Sequence, residues 1–197
     1  MKKTAFKFLT ILLALGLSSF NQTNNHTSVL VKYNGTHTVG ELFGGGIVFN
    51  VVKGADGAEH GLIVSLNDLE SSAGWSDNTR LETRAASSSN GAENTAAIIK
   101  AGAGKSSAAG LCDKYAEGGM SDWYLPASDE AKMLYAVMKD INKVLTGTKG
   151  AKEIEADFYW TSTETGRGSA NGFDFGTGEV TSSNKLRTAS VRAVRAF

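Results

Sequence analysis

"SDWYLPASDEAKMLY", residues 121–135, holds the single proline of the chain, Pro126, separated by Leu125 from the aromatic pair Trp123 and Tyr124 and followed by a helix-like run. A proline fixes φ and lacks an amide hydrogen, so it suits the approach to a helix and not its interior. Beyond it Leu134, Met138, Ile141 and Leu145 fall on one helical stripe, which Met133 and Val137 widen. Asp129 and Glu130 sit in the first turn, where negative charge complements the helix dipole, and Gly147 supplies the stop. The stretch therefore reads as a corner of the fold and not as an active site. Pro126 directs a long helix, and Asp122, Trp123, Tyr124 and Leu125 form the junction beneath it.

Upstream of this corner, Ile47–Val52 and Leu62–Ser65 are apolar, β-branched runs with "GADG" between them, which predicts a β-hairpin. From Glu70 to Gly119 the chain is rich in Ala, Ser and Gly, and no strand is predicted there. Two short helices are expected, in "NGAENTAAIIKAG" and "KSSAAGLCDKYAEGG", each closed by glycine. "SSAGWSDNTRLETRAASSSN" reads as a long loop around Trp75. Downstream, "DFYWTSTE" predicts a strand, and "NGFDFGTGEVTSS" predicts a hairpin turning at "GTG". "TASVRAVRAF" alternates, placing Val191, Ala193, Arg195 and Phe197 on one face and Arg192, Val194 and Ala196 on the other. A hairpin, then helices, then antiparallel strands, with no βαβ rhythm, makes the fold class α+β: antiparallel sheets of short strands, two to three helices and long loops.

The N-terminus "MKKTAFKFLTILLALGLSSF" has two lysines, a short apolar run and small residues, the pattern of a signal peptide over residues 1–20. A polar leader follows at 21–39, with one short strand expected around Val29–Val31, and the domain is expected to span 40–197. The protein is thus expected to be exported to the periplasm, the cell surface or the medium, with no transmembrane segment once the signal is removed. The 197 residues carry 20 basic and 20 acidic side chains, so no overall positive field favours nucleic acid. Cys112, the one cysteine, precludes an intrachain disulfide and reads as a buried small apolar residue.

Catalytic signatures are absent from this pattern. "GAGKSS" has Ile99 where a phosphate loop needs its first glycine. "FGGGIVF" leads into a strand, so its glycines read as a close approach or bulge and not as a dinucleotide fingerprint. His26, His37 and His60 are scattered, "GWSDN" is no nucleophile elbow, and neither a zinc cluster nor a calcium loop is recognisable. Asp122, Glu164 and Asp174 are the candidates for a paired-carboxylate hydrolase, a reading that requires them to face one another across a cleft. Trp123 and Trp160 read as core. For Trp75, in a polar loop, ligand contact and anchoring of the loop both stand open. Lys185, Arg187, Arg192 and Arg195 make the last strands locally basic, suited to an anionic ligand or to pairing with internal acids.

Taken together, "GGGIVF", "HGLIVSLNDL", "GAENTAAII", "SDWYLPASDEAKMLY", "YWTSTE" and "VRAVRAF" resemble the Lcl C-terminal domain family, named for a bacterial collagen-like adhesin, from about Gly40 to Phe197. The resemblance implies a C-type-lectin-like fold and a structural motif made of Asp122 to Pro126, Trp160, Arg192 and Arg195. It also implies a binding module of exported bacterial or phage-related proteins, without cofactor, whose leading ligands are glycans or other host or envelope surface components. Two departures stand out. Ala127 occupies the place of the family's serine N-cap, so the cap must pass to Ser128 or be lost. Leu-Pro-Ala and Asp-Trp-Tyr replace the triplets of calcium-dependent lectins, and the cysteine pair of formylglycine-generating relatives is missing. The expected ligand surface comprises Trp75, Asn78, Arg80, Glu164, Arg167 and Asn171, with no metal. A structural protein that self-assembles into homo-oligomers is the alternative from another class.

Overall fold

The triple glycine before the first long strand makes the close approach its composition suggests. In the computed structural model, which describes residues 36–78 and 80–197, Gly45 (φ 87°) faces the backbone of Glu117 and Gly118. A Cβ on Gly45 would lie 2.6 Å from the Glu117 carbonyl carbon, so no other residue fits without movement. From there the chain forms β1 (Leu42–Phe43) and the hairpin β2 (Gly46–Lys53) and β3 (Glu59–Ser65), with a register shift between Val48 and Asn50. Asp56 holds the hairpin turn by accepting the Ala58 amide hydrogen at 3.0 Å.

Then come β4 (Glu70–Gly74), α1 (Gly91–Lys100), α2 (Ala108–Lys114) and α3 (Ser128–Gly147). The chain ends in β5 (Phe158–Gly166), β6 (Ser169–Asp174), β7 (Glu179–Asn184), β8 (Thr188–Val191) and β9 (Val194–Ala196). One sheet runs β1-β2-β3-β9 and the other β4-β8-β5-β6-β7. This is the α+β architecture of three helices and short, mostly antiparallel strands; the β5–β8 pairing, at Tyr159 and Ser190, is parallel. Two apolar clusters fill the interior. One gathers Trp75, Ile98, Cys112, Trp123, Leu125 and Trp160, and the other gathers Ile47, Phe49, Leu134, Ile141, Leu145 and Phe173 around the buried stripe of α3.

Two sequence expectations need correction, and one left open is decided. A strand, β4, lies in the region read as strand-free; its polar residues Glu70–Ser72 are exposed and only Ala73 is buried, which left no alternating apolar signal. The alternating C-terminal run is not one strand. It breaks at Arg192 and Ala193 into β8 and β9, which belong to different sheets, while the Ala193 carbonyl accepts from Ser65 N at 3.0 Å. Of the two outcomes open for the cap of α3, the second holds: Ser128 is the first helical residue and no side chain at the N-cap position caps the helix. Glu130 accepts from the Ala127 amide at 2.7 Å, and partners from elsewhere take the next two free amides: Thr163 Oγ1 accepts from Ser128 N at 3.2 Å and the Ser88 carbonyl from Asp129 N at 2.7 Å.

Ahead of the domain start read at Gly40, the His37 ring stacks on Phe43 and Phe197 with centroids 4.0 and 5.2 Å away. The signal peptide, the short strand around Val29–Val31 and His26 lie outside the described residues.

The corner segment itself behaves as a crossing point. Tyr124 exchanges both backbone hydrogen bonds with Val194, at 2.8 and 2.9 Å, and Leu125 N donates to Thr95 Oγ1 on α1 at 3.1 Å. The Pro126 carbonyl accepts from Ser162 N on β5 at 2.8 Å, and Asp122 pairs with Arg195 on β9. Trp123, Tyr124 and Leu125 are buried. Tyr124 donates its hydroxyl to Glu130 at 3.0 Å; burial pushes the Glu130 carboxyl above its ordinary value against this bond and the Ala127 amide.

Candidate functional site: a pinned loop and a polar cleft

The loop between β4 and α1 is held by groups that the sequence leaves unpaired. Lys185, directly after β7, is fully buried, and its ammonium satisfies all three hydrogens. It donates to the Leu81 carbonyl at 2.6 Å, to the Arg167 carbonyl at 3.1 Å and to Glu164 Oε1, and it lies 4.5 Å from the centroid of the Trp75 ring. Glu164, near the end of β5, also accepts the amide hydrogens of Thr83 and Arg84, at 3.0 and 2.7 Å. Arg84 is the one non-glycine with positive φ among the described residues, at 61°. Burial pushes the Glu164 carboxyl up, but Lys185 and those two amides outweigh it and hold the group below its ordinary value.

Two indoles stitch the same region from both sides. Trp75 donates Nε1 to the Thr161 carbonyl at 2.8 Å, and Trp160 donates Nε1 to the Ala73 carbonyl at 3.0 Å. Of the two roles open to Trp75, the structure shows anchoring. Its exposure is 0 %, which removes it from the ligand surface. Glu164 is removed likewise, because its carboxylate faces inward to Lys185 and the loop backbone.

The other expected ligand residues divide. Asn78 and Arg80 are exposed on the loop, where Asn78 Oδ1 accepts from Arg80 N at 2.9 Å. Arg167 is exposed and approaches Glu82 of the loop at 3.5 Å. Asn171 is half-buried on β6 and donates to Ser128 Oγ at 3.3 Å, so it serves the start of α3. The three hydrolase candidates are kept apart. Asp122 is bound to Arg195, Glu164 to Lys185, and Asp174 accepts from Gly176 N and Thr177 N at 2.8 and 3.0 Å in the β6–β7 turn. Asp174 pairs with Phe158 at the opposite end of the β5–β6 ladder from Glu164. Ala170 stands opposite Glu164, and the four residues of β6 from there to Asp174 separate the two acids by roughly 13 Å, beyond the reach of a carboxylate pair.

A second polar neighbourhood was not foreseen. Arg192, buried where the alternation placed it beside Val194, donates to the carbonyls of Ser65, Leu66, Lys152 and Glu153 at 3.1, 2.8, 2.7 and 3.1 Å. It also lies 3.2 Å from Asp68 Oδ1, while the Tyr159 hydroxyl donates to Asp68 Oδ2 at 3.0 Å. Burial pushes the Asp68 carboxyl up, against the Arg192 charge and the Tyr159 bond. Asp68 edges an open cleft of about 430 Å³ between the β3–β4 connection and the end of α2, which Lys114, Tyr115 and Glu117 also line. The only signal for it in the sequence is a basic residue inside a strand-like run. Cys112, behind α2, is fully buried, and burial pushes its thiol up, as a core role requires. Among the described residues no cluster of His, Cys, Asp and Glu could hold a metal ion, and no helix is long and apolar enough to cross a membrane.

An α+β domain with the loop after β4 locked against the five-stranded sheet, and a polar cleft before β4, is the class that fold and site define. Within that class the chain belongs to the Lcl C-terminal domain family, whose model matches residues 65–195. No curated protein matches the chain.

Proposed function

We propose that the protein is an exported, non-catalytic binding module that presents the loop of Asn78 and Arg80, with Arg167 beside it, to a carbohydrate or another surface component, without a lectin-type calcium site. The observation that carries this reading is the division of labour around Glu164. The buried charges are used internally to fix the loop backbone, while the exposed Asn and Arg side chains remain available to a ligand. A loop anchored at Leu81, Thr83 and Arg84 before binding loses less conformational entropy on complex formation than a free one. Membership of the family is compatible with this reading and names no ligand. The test is a glycan and glycosaminoglycan array probed with the purified protein, with host-surface extracts alongside. Binding to a restricted set of glycans, weakened at least tenfold in the Arg80→Ala/Arg167→Ala variant at unchanged melting temperature, is expected. Silence across all of them would remove the carbohydrate reading.

One observation favours a self-assembling envelope protein as the second reading. β7 forms the end of its sheet, and its outer edge has no partner strand among the described residues. Trp75 is already buried within its own chain, so an oligomer would have to form elsewhere, along that edge. Sedimentation at micromolar concentration separates the two readings: a monomer favours the binding module, and a stable oligomer broken by Thr181→Pro favours assembly.

A further inference from the structure

We propose that the cleft edged by Asn67, Asp68, Leu69, Leu111, Lys114 and Tyr115 is a second ligand site, and that it takes the ring of a neutral pyranose sugar. The inference rests on the binding-module reading and adds a place and a ligand class that the loop surface does not supply.

The cleft is an open surface depression of about 430 Å³, a volume within the roughly 300–1,000 Å³ of ordinary ligand pockets. Its principal acceptor is rigid. The Tyr159 hydroxyl and the Arg192 guanidinium hold the Asp68 carboxylate from behind, and 22 % of the side chain remains exposed. Asp68 Oδ1 is buried beside Arg192, 3.2 Å away, and offers nothing to the cleft, so contact with a ligand falls to the exposed remainder of the carboxylate. Asn67 is oriented by donating to the Gly150 carbonyl at 3.0 Å, which leaves its side-chain oxygen to accept. The Tyr115 ring is fixed edge-on to Trp123, with centroids 5.2 Å apart, and its hydroxyl has no hydrogen-bond partner among the described residues. Leu69 and Leu111 add apolar surface.

The charge balance selects among ligands. Arg192 offsets Asp68 from behind, and Lys114 and Glu117 carry opposite charges along the rim. A cation would meet the Lys114 ammonium and the field of Arg192 behind Asp68, and an anion would meet the carboxylates of Asp68 and Glu117. A neutral polyol avoids both: its hydroxyls donate to Asp68 and Asn67, and its C–H face rests on leucine and tyrosine.

The probe is ligand-observed NMR titration of the full protein with glucose, galactose, mannose and N-acetylglucosamine, with glucuronic acid and glucosamine as charged controls. At least one neutral sugar is expected to bind, with affinity falling tenfold or more in Asp68→Asn and lost in Leu111→Trp, which narrows the cleft from the α2 side. Arg80→Ala/Arg167→Ala should leave this binding unchanged. The inference is overturned if no neutral sugar binds, if the charged sugars bind as well or better, or if binding survives Leu111→Trp. Array binding that depends on Arg80 and Arg167 while the cleft binds nothing would leave the module reading standing and remove this one alone.

Discussion

Glu164 and Lys185 show how one buried pair can shape a whole loop. A lone ammonium in that position would be prohibitively costly, and it is tolerated because each of its hydrogens finds an oxygen. Removing one partner strands the other, so Glu164→Ala should destabilise the protein by about 3–5 kcal/mol in urea unfolding. A loss under about 1 kcal/mol, the range of exposed pairs, would mean that the pair is not buried in solution. The pH dependence has a defined sign. The folded carboxyl lies below its ordinary value of 4.5, so its contribution is fully present above that pH and is lost as pH falls through the folded value. Asp68 and Glu130, pushed up by burial, act in the opposite sense. The comparison of wild type with Glu164→Gln therefore isolates the term: the variant should lose less stability between pH 6 and pH 3, and equal losses would contradict the assignment.

At the scale of elements, α3 and the first hairpin were legible because their signals are local. The helical stripe, Pro126 and the acidic first turn define α3 without reference to the rest of the chain, and β2 and β3 carry apolar runs joined by turn residues. β4 was not legible because it buries one residue of five, and the division of β8 from β9 was not legible because Arg192 turns inward to four carbonyls from other segments. The helix start is open to improvement. Thr163 and Ser88 cover the amides of Ser128 and Asp129, but Ala127 offers no side-chain oxygen to the amide of Glu130. Ala127→Ser restores the acceptor and should raise stability by about 1 kcal/mol, read from the urea midpoint; no change or a decrease would show that the buried site cannot admit the hydroxyl. Gly45→Ala should cost at least about 1–2 kcal/mol from backbone strain alone, with the clash at Glu117 in addition. A neutral result would mean that the β1–β2 segment and the 117–119 turn do not meet as described.

Across the whole molecule, fold class and family were readable, whereas the candidate site was readable only in part. Asn78, Arg80 and Arg167 are polar residues in loops, and they remain at the surface. Trp75 and Glu164 looked the same in sequence, yet both are buried because Lys185, 110 and 21 positions away, meets them inside. Long-range pairing of this kind leaves no periodic trace along the chain, and the Asp68–Arg192 pair escaped notice for the same reason. The picture that results is a domain whose interior charges are internally matched, and the proposed ligand surface is what remains to be tested. The most direct test is an affinity measurement on a glycan selected by the array, comparing wild type with Arg80→Ala/Arg167→Ala, while the same mixtures are followed for cleavage of the glycan. Saturable binding that weakens at least tenfold in the double variant, with the glycan recovered intact, is the predicted result; binding indifferent to both arginines, or turnover of the glycan, would contradict it.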